Sequence, residues 1–412
     1  MTNNNTPEPS EHTRMEHDHY DVIVCGAGPA GVTASLAAAR GGARTLLVDE
    51  DANPGGSHVD HFILALCGDP FEGLIKEISV DLAAIDSSFA RGWPHVFDVH
   101  NYLVVVRRKL REAGVEFLPH TRIHGTVTDG DRVTGIKFTR RNVTEQCEAI
   151  VTGKVIIDST GNGDVSFFSG VPYRFGREAR SEFDESFAPE VADSYVQQLT
   201  WMYQVAKVRE TDKKPSHAHY DDGRYLIWGG GFDCPDPTDP AALEATQDEA
   251  WRAMETQFNK HKENGFRVVA IAPKMGIRET RRIMGDYIIN ENDLRNAVAF
   301  EDRICRARYP LDPWEPKGEN PIWKENHRCE VPLYYIPYRS LCALGKKNLL
   351  LAGRCISGTH VAMSSYRVTT IASLIGEAAG TAAAMAAAKN GDIRGIEVNK
   401  LQALLRKSGM EI

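Results

Sequence analysis

Hydrophobic residues in this chain fall into short unbroken runs that alternate with helical segments. Residues 20–24 (YDVIV), 45–48 (TLLV), 154–158 (KVIID) and 348–352 (NLLLA) are apolar runs of strand length. Strands that are covered on both faces in a parallel sheet have this pattern. Residues 32–40 (VTASLAAAR) separate the first two runs and have helical composition, so this part of the chain predicts strand, helix, strand.

The same reading predicts further elements. Residues 121–138 alternate between apolar and polar positions around a turn at residues 129–131 (DGD), which indicates a hairpin. A strand is expected at residues 115–118, and helices are expected at residues 98–114, 239–264 and 398–407. Loops rich in proline follow at residues 310–314 and 316–321, and we interpret them as a lid over an unknown surface.

Residues 368–388 (VTTIASLIGEAAGTAAAMAAA) form the longest weakly polar stretch. Its alanine and glycine content and Glu377 make it too weakly apolar for a convincing membrane span, so a buried helix is expected. Gly376 and Gly380 lie one turn apart, a spacing that lets a helix approach a sheet closely.

A glycine-rich turn joins the first strand to the first helix. In residues 26–31 (GAGPAG), Gly26 permits a tight turn, Gly28 removes the side chain that would keep a pyrophosphate away, and Gly31 allows close helix–strand packing. The helix N-terminus supplies free N–H groups and a positive dipole end to phosphates. The second strand ends at Asp49, 23 residues after Gly26, near the spacing at which a carboxylate meets ribose hydroxyls. These features predict a dinucleotide site with an unphosphorylated ribose, hence FAD or NAD rather than NADP.

Three later turns, each of which follows an acid or a predicted strand, favour FAD. They are Pro54-Gly55-Gly56, residues 159–164 (STGNGD) and Gly353-Arg354. A chain that returns to one nucleotide fold after long excursions looks like the glutathione-reductase and succinate-dehydrogenase class of flavoproteins.

The C-terminal motifs sharpen this likeness to a family. Residues 277–289 (with RETRR), 331–341 (VPLYYIPYRSL) and 348–384, together with GAGPAG and DSTGNGD, resemble the FAD-dependent oxidoreductase family, some members of which carry the name xanthan lyase. The resemblance covers nearly the whole chain. It implies an α/β fold, with a discontinuous Rossmann-like FAD-binding domain and an inserted α+β substrate domain, and it implies no particular substrate.

The resemblance also implies where FAD lies. In related families an apolar strand ending in Ala-Gly passes under the flavin, and the next helix points its N-terminus at the N1 and C2 carbonyl edge. This puts Gly353 and Arg354 beside the ribityl chain and pyrophosphate, and residues 368–371 at the ring. The predicted cofactor-binding residues are Gly26, Gly28, Pro29, Ala30, Gly31, Asp49, Glu50, Gly55, Gly56, Gly161, Asp164, Gly353, Arg354, Val368 and Thr369.

Reduction of a flavin leaves negative charge at N1, which a helix N-terminus stabilises. Ser364, Ser365 and Thr369 are expected to help cap this end of the helix. Arg367 would add a full positive charge there. The alternative is that Arg367 pairs with a surface carboxylate.

Domain organisation follows from where the pattern changes. Residues 20–170 and 331–412 are assigned to the FAD-binding domain, and residues 1–19 to a polar, disordered leader. Between residues 171 and 330 the periodicity is interrupted and Pro, Trp, Tyr and His become frequent, so this range is assigned to the substrate or cap domain.

Composition narrows the partners. The chain has 412 residues, with 48 Lys and Arg against 56 Asp and Glu, a formal charge of −8, and 25% charged residues. An acidic excess disfavours binding to nucleic acid or to an anionic membrane, so a small-molecule partner is expected and the oligomeric state stays open. The eight cysteines show no CxxC pair, so no metal site is expected, and the polar N-terminus shows no signal peptide, which favours the cytoplasm.

Four residues are candidates for the chemistry. His360 is the first choice as a base, because residues 353–367 lie between the flavin strand and the flavin helix; the alternative is a histidine that only shapes this loop. Arg367 is the second. His61 and Cys67 follow the ribose acid, where the succinate-dehydrogenase class carries a flavin-linked histidine. Covalent FAD is therefore an alternative, involving His58 or His61, and otherwise His61 and Cys67 line the pocket.

Arg278, Arg281 and Arg282 form a dense positive cluster. An arginine fork suits a carboxylate or phosphate of a substrate, and it equally suits ion pairs with Glu279 or Asp286. We expect a structural role for most of the cluster.

The predicted function is an FAD-dependent dehydrogenase or oxidase that removes a hydride from a small polar metabolite to flavin N5. The alternatives are a flavin monooxygenase, for which Gly353-Arg354 departs from the usual GD-type motif, and a flavoprotein with FAD in a structural or electron-carrying role. The substrate and the electron acceptor are left open.

Overall fold

The fold was analysed in a computed structural model that describes residues 19–86, 95–141, 146–216, 218–319 and 329–412. Residues 1–18 of the predicted leader, and residues 320 and 321 of the second proline-rich loop, lie outside the described residues. His19, assigned to the leader, is the first residue of a strand.

The strands are β1 (His19–Cys25), β2 (Thr45–Val48), β3 (Ala65–Leu66), β4 (His95–Val96), β5 (Glu116–Leu118), β6 (Thr121–Asp129), β7 (Arg132–Arg141), β8 (Gln146–Asp158), β9 (Tyr173–Arg174), β10 (Met202–Lys207), β11 (Ala218–His219), β12 (Arg224–Trp228), β13 (Phe266–Ile271), β14 (Arg282–Ile283), β15 (Arg303–Ala307), β16 (Tyr334–Pro337) and β17 (Leu349–Leu351). The helices are α1 (Pro29–Arg40), α2 (Gly73–Ile85), α3 (Val99–Glu112), α4 (Asp164–Phe168), α5 (Arg180–Phe183), α6 (Pro240–Glu263), α7 (Glu291–Arg295), α8 (His360–Tyr366), α9 (Thr369–Ala387) and α10 (Val398–Lys407).

A seven-stranded sheet organises the cofactor half of the molecule. Its strand order is β5-β2-β1-β8-β7-β6, and β17 also pairs with β8. β5, β2, β1, β8 and β17 are parallel, whereas β6, β7 and the first half of β8 are antiparallel. The four residues of β2 are all buried, as expected for a strand covered on both faces. The sheet confirms the predicted α/β, Rossmann-like architecture.

A second sheet lies within residues 171–330. Its four antiparallel strands have the order β11-β12-β10-β13, and α6 packs against it with Ala250 and Met254 buried. α6 begins after Asp239, whose carboxylate accepts the N–H of Ala242 at 3.1 Å. β15 pairs with β16, so a strand pair crosses the boundary assigned at residue 330.

The two glycines of α9 face α1 rather than the sheet, which corrects the expectation for them, although α9 also contacts β1 and β8 of the sheet. A Cβ at Gly376 would overlap the carbonyl oxygen of Ala30, and a Cβ at Gly380 would overlap that of Ala34. α9 is long and apolar enough to cross a membrane, but 89% of its apolar window is buried inside the protein. The expectation of a buried core helix is therefore confirmed.

Candidate functional site

The turn between β1 and α1 has the conformation that its glycines predict. Gly26 has φ +98°, and a Cβ there would lie 2.5 Å from the carbonyl oxygen of Ser159. Gly28 precedes α1 without a side-chain cap, and a Cβ at Gly28 would meet no described atom within 4 Å. The first N–H groups of a helix have no acceptor within the helix, so this end of α1 faces open space with donors to offer.

The contact between α1 and α9 fixes where α9 begins. Ala30 is the second residue of α1, whereas Gly376, which packs against it, is the eighth residue of α9. The pairing of Ala34 with Gly380 shows that the two helices are parallel. At about 1.5 Å per residue, α9 therefore extends about 9 Å beyond the start of α1. The start of α1 suits a pyrophosphate, and the start of α9 lies farther out along the same direction, where the flavin ring would be expected.

Two more glycine turns surround the start of α1. Gly55 donates its N–H to the carbonyl oxygen of Ala27 at 2.7 Å, and a Cβ at Gly56 would lie 2.7 Å from Cα of Gly28. Gly161, in the third turn, has φ +76° and lies against the guanidinium of Arg354. All three predicted turns therefore meet at the carboxyl end of the parallel strands.

The acid at the end of β2 is buried. The carboxylate of Asp49 accepts the N–H groups of Ala27 and Asp51, the latter at 2.8 Å. Burial raises the pKa of Asp49 to about 6, although these two hydrogen bonds act in the opposite direction. Glu50 is exposed and its carboxylate lies 3.3 Å from Nζ of Lys274, a residue that was not among the predicted site residues. Asp49 is thus held beside the glycine turn, in the position expected of the ribose acid.

Gly353 and Arg354 follow β17 and lie near the start of α1. A Cβ at Gly353 would lie 3.0 Å from Cβ of Ala30. Arg354 donates to the carbonyl oxygens of Gly161 and Ile277 and to Oδ1 of Asn162. Burial, followed by the charge of Arg367, lowers the pKa of Arg354 to about 10. Its donors bind neutral oxygens, so its positive charge is available to a phosphate.

Asp164, in the third turn, pairs with an arginine of another segment. Its carboxylate lies 2.9 Å from Nη1 of Arg281, and burial raises its pKa. The pairing anchors the third turn to the RETRR segment.

The start of α9 has free polar groups. Val368 precedes α9 without a side-chain cap, and the hydroxyls of Thr369 and Thr370 are buried with no partner among the described residues. Thr370 donates its N–H to the carbonyl oxygen of Cys67 at 3.3 Å, which places Cys67 beside this end.

The capping expectation for Ser364 and Ser365 is wrong. Both lie within α8, a helix in the segment interpreted from sequence as a loop, and their hydroxyls donate to the carbonyl oxygens of Val361 and Tyr309.

His61 and Cys67 lie on the wall of this region. Both side chains are half-buried. Burial, together with the charges of Arg354 and Lys274, lowers the pKa of His61 to about 3, so its imidazole is neutral. Burial raises the pKa of Cys67 to about 12, so its thiol is protonated. Cys67 is therefore no thiolate nucleophile at neutral pH.

His58 is part of the core rather than of the wall. It is fully buried, its Nδ1 lies 2.6 Å from the carbonyl oxygen of Ile63, and its ring packs against Phe97 and Tyr102. Burial lowers its pKa to about 4.

The side chain of Arg367, two residues before the start of α9, is bound by residues of the range 171–330. Its Nε donates to Oε1 of Gln197 at 3.0 Å, and its Nη2 donates to the carbonyl oxygen of Asp312 and lies 3.3 Å from the Asp312 carboxylate. Arg367 thus has a carboxylate partner, as the alternative expected, but its side chain is only 12% exposed, so the pair is not a simple surface ion pair. Asp312 belongs to the first proline-rich loop, which reaches over the start of α9.

His360 begins α8 and is 2% exposed. Its Nδ1 lies 2.7 Å from Oε2 of Glu279, although the ring is not aligned for a good hydrogen bond, and its Nε2 has no partner among the described residues. Burial alone would raise the pKa of Glu279, but its contacts with His360 and Arg282 lower it. Glu279 also accepts the N–H of Gln197 at 3.0 Å. His360, Glu279, Gln197 and Arg367 thus form a continuous chain of contacts.

A second buried carboxyl group supports α8. Oε1 of Glu185 accepts the hydroxyl of Thr359 at 2.5 Å and the N–H of Glu291 at 2.7 Å. Thr359 caps α8 and thereby positions His360. Burial raises the pKa of Glu185 to about 7.

The three arginines of RETRR have different partners. Arg282 is fully buried between Glu279 and Glu178, and Arg281 pairs with Asp164. Of the two carboxylates named as alternative partners, Glu279 binds Arg282, whereas Asp286 pairs with Arg394. Two of the three arginines therefore have the structural role expected of them. Arg278 has no carboxylate partner among the described residues.

These features fit an extended flavin dinucleotide. The open space at Gly28 and the positive charge of Arg354 suit a pyrophosphate, and Asp49 lies where the ribose would be. The unpaired hydroxyls of Thr369 and Thr370 lie at the other end, at the start of α9. Gln197 and Lys274 were not selected from the sequence, whereas Thr370 belongs to the range placed at the flavin ring and Asp312 to a loop interpreted as a lid.

Comparison with known proteins gives the same picture. The sequence profile of a family described as "FAD dependent oxidoreductase" matches residues 21–405. Sarcosine oxidase subunit alpha of Corynebacterium sp. (strain P-1) is 37% identical over 101 residues, 23% of this chain and 10% of that protein. A "probable electron transfer flavoprotein-quinone oxidoreductase" of Escherichia coli (strain K12) is 28% identical over 145 residues, 30% of this chain and 34% of that protein. The chain thus spans a tenth and about a third of these two relatives.

A solved structure shares the fold. A geranylgeranyl bacteriochlorophyll reductase-like protein from Thermoplasma acidophilum superposes with a TM-score of 0.50 at 14% identity, covering 95% of this chain and 84% of the other. At this identity the likeness concerns the fold alone.

Proposed function

This chain belongs to the family of FAD-dependent oxidoreductases and uses FAD as its cofactor, and from that premise we propose that it oxidises a small polar metabolite by removing a hydride from one of its C–H bonds. When bound, FAD supplies the two-electron acceptor at N5 of its ring. A dehydrogenase or an oxidase would share this half-reaction and differ in what reoxidises the flavin.

The observation that carries the proposal is the chain of contacts His360, Glu279, Gln197 and Arg367, which ends at the start of α9. A polar wall of this kind, with a charged group beside the helix start, suits a polar substrate better than an apolar one. The half-buried side chains of His61 and Cys67 add to the same wall.

Within this site we assign the proton to His360. Oxidation of an alcohol or amine releases one hydride from carbon and one proton from oxygen or nitrogen, which leaves a C=O or C=N bond. Nδ1 of His360 lies 2.7 Å from Oε2 of Glu279, and Nε2, which has no partner among the described residues, is left to accept that proton. Arg367 and the N-terminus of α9 would stabilise negative charge at the N1 edge of the ring.

Anaerobic titration tests the proposal. The yellow holoenzyme is mixed with hydroxy acids, amino acids, sugars and simple alcohols, and loss of the oxidised flavin absorbance is recorded. Bleaching by a member of the panel is expected. Bleaching only by NADPH, with a hydroxylated product once oxygen is admitted, would instead indicate a monooxygenase, and no bleaching by any compound would contradict an oxidative role.

We also propose a cytoplasmic location. The seven cysteines whose side chains the structure describes form no disulfide bond with one another, which supports a reducing compartment.

A further inference from the structure

Arg278 is a largely enclosed cation whose partners are neutral. Both bonds of its Nη1 go to uncharged oxygens, the carbonyl of Gln198 and the hydroxyl of Thr200, each at 2.6 Å. Its guanidinium lies 3.6 Å from the centre of the Trp314 ring. Among the described residues, no carboxylate forms an ion pair with it, whereas Arg281 and Arg282 of the same segment both have one. A buried charge without a counter-ion is costly, which indicates that an anion completes this site.

The surroundings of Arg278 have an excess of positive charge. Arg367 lies close enough that, after burial, its charge is the next largest cause lowering the pKa of Arg278, to about 9. Asp312 is paired with Arg367. Two guanidinium groups therefore share one carboxylate, and a single further negative charge would balance the group.

The free edge of Arg278 fits a carboxylate. With both Nη1 hydrogens engaged, the Nε and Nη2 hydrogens remain, and the described residues provide no acceptor for them. This is the edge with which arginine binds the two oxygens of a carboxylate side by side. The contact with the Trp314 ring limits the rotation of the planar guanidinium.

We propose that Arg278 binds a carboxylate of the substrate, so that the metabolite oxidised at this site is a small organic acid. This inference rests on the proposed function and names its substrate class. Arg367 contributes positive charge to the same subsite, and Trp314 and Thr200 hold Arg278 in place.

The cofactor already has an arginine of its own. Arg354 lies beside Gly161 and next to Gly353, which packs on Ala30 at the start of α1, and it also binds the carbonyl oxygen of Ile277. Arg278 follows Ile277 in the sequence, but its side chain contacts Gln198, Thr200 and Trp314, all of which belong to residues 171–330. Arg354 is thus assigned to the pyrophosphate and Arg278 to the substrate.

The test uses the FAD-loaded enzyme with propionate and benzoate as probes and with propionamide and benzamide as neutral counterparts. Binding is followed by the change in the flavin absorption spectrum. We expect the carboxylates to bind saturably to the wild type and the amides to bind at least about tenfold more weakly, since charge-assisted hydrogen bonds contribute about 1.5–3 kcal/mol. Arg278→Gln should lose this preference and Arg278→Lys should keep part of it, while Arg394→Lys, at the pair with Asp286, should behave as wild type.

Three results would overturn the inference. The first is equal binding of carboxylates and amides to the wild type. The second is unchanged carboxylate binding in Arg278→Gln with a full complement of FAD. The third is loss of FAD in both Arg278→Gln and Arg278→Lys, which would assign Arg278 to the cofactor.

The inference and the proposed function can fail separately. Bleaching of the flavin by a neutral alcohol or sugar, and by no acid, would keep the proposed function and overturn the carboxylate subsite. Carboxylate binding that depends on Arg278, without bleaching by any acid or neutral compound, would keep the subsite and overturn the oxidation.

Discussion

Gly380 of α9 lies directly against the backbone carbonyl of Ala34 in α1, so closely that no Cβ fits between them. Together with the equivalent contact between Gly376 and Ala30, this sets both the distance between the two helices and their relative position along the axis. The start of α1 and the start of α9 therefore keep their offset only while both positions are glycine.

Replacement of Gly380 should reduce stability and cofactor retention together. In Gly380→Ala the new methyl group must push α9 away from α1, and overpacking of this kind costs about 1–3 kcal/mol. Urea unfolding and the FAD content of the purified protein would measure both effects. Gly125→Ala is the matched control, because its Cβ would lie 3.4 Å from the side chain of Lys137, an ordinary contact. Unchanged unfolding of Gly380→Ala would show that the helices are not closely packed.

Replacement of Gly28 should weaken FAD binding without reducing the stability of the protein. A Cβ at Gly28 meets no described atom within 4 Å, and the backbone there has φ −66°, so Gly28→Val should fold normally. The side chain would occupy the space assigned to the pyrophosphate, and we expect FAD affinity to fall by at least about tenfold, equivalent to about 1.4 kcal/mol. Fluorescence titration of the cofactor-free protein with FAD, beside its urea unfolding curve, would check this. Full FAD affinity in Gly28→Val would contradict the assignment of the phosphate site.

His360→Gln should slow flavin reduction by a substrate that bleaches the wild type. Loss of a general base typically costs about 10²–10⁴-fold in rate, and FAD content should be unchanged. Glu279→Gln should show a smaller effect and an altered pH profile, because Glu279 acts through His360. Stopped-flow measurement under anaerobic conditions would give the rates. A normal rate of reduction in His360→Gln would remove His360 from the mechanism.

Stability should decrease as the pH rises through about 7, because of Glu185. Burial raises the pKa of this carboxyl group to about 7 from an ordinary value of 4.5. A raised pKa in the folded state means that the stabilising contribution is complete below about 4.5 and is lost as the pH rises through about 7. Since each pKa unit corresponds to about 1.4 kcal/mol, the loss is at most about 3 kcal/mol.

Glu185→Gln provides the comparison. It should flatten this part of the pH profile in chemical unfolding of the cofactor-free protein, whereas Glu244→Gln, at an exposed position of α6, should leave it as in the wild type. A profile that is the same for Glu185→Gln and the wild type would mean that Glu185 ionises normally.

The elements with a local signal were predictable. β2 and α10 have the predicted limits, and α6 begins and ends within one residue of its predicted limits. An unbroken apolar run marks β2, an amphipathic pattern marks α10, and the capping residue Asp239 marks the start of α6. α8 was interpreted as a loop, since all seven of its residues are buried and a helix enclosed on every side has no amphipathic period. Its existence depends on packing between segments far apart in the sequence.

The same distinction applies to the site. The glycine turns and Asp49 were found because their roles depend on spacing within one βαβ unit. The roles of Arg278, Arg281 and Arg282 could not be separated from sequence, because most of their partners lie 78 to 117 residues away in the chain: Gln198, Thr200, Asp164 and Glu178. Only the fold shows which guanidinium remains without a counter-ion.

The offset of about 9 Å between the starts of α1 and α9 selects for the length of the bound coenzyme. FMN would reach from the first glycine turn to the far helix but would leave the pocket at Asp49 empty, whereas ADP would fill that pocket without touching the far helix. Each fragment would occupy only one of the two parts of the site, and only the complete dinucleotide would occupy both.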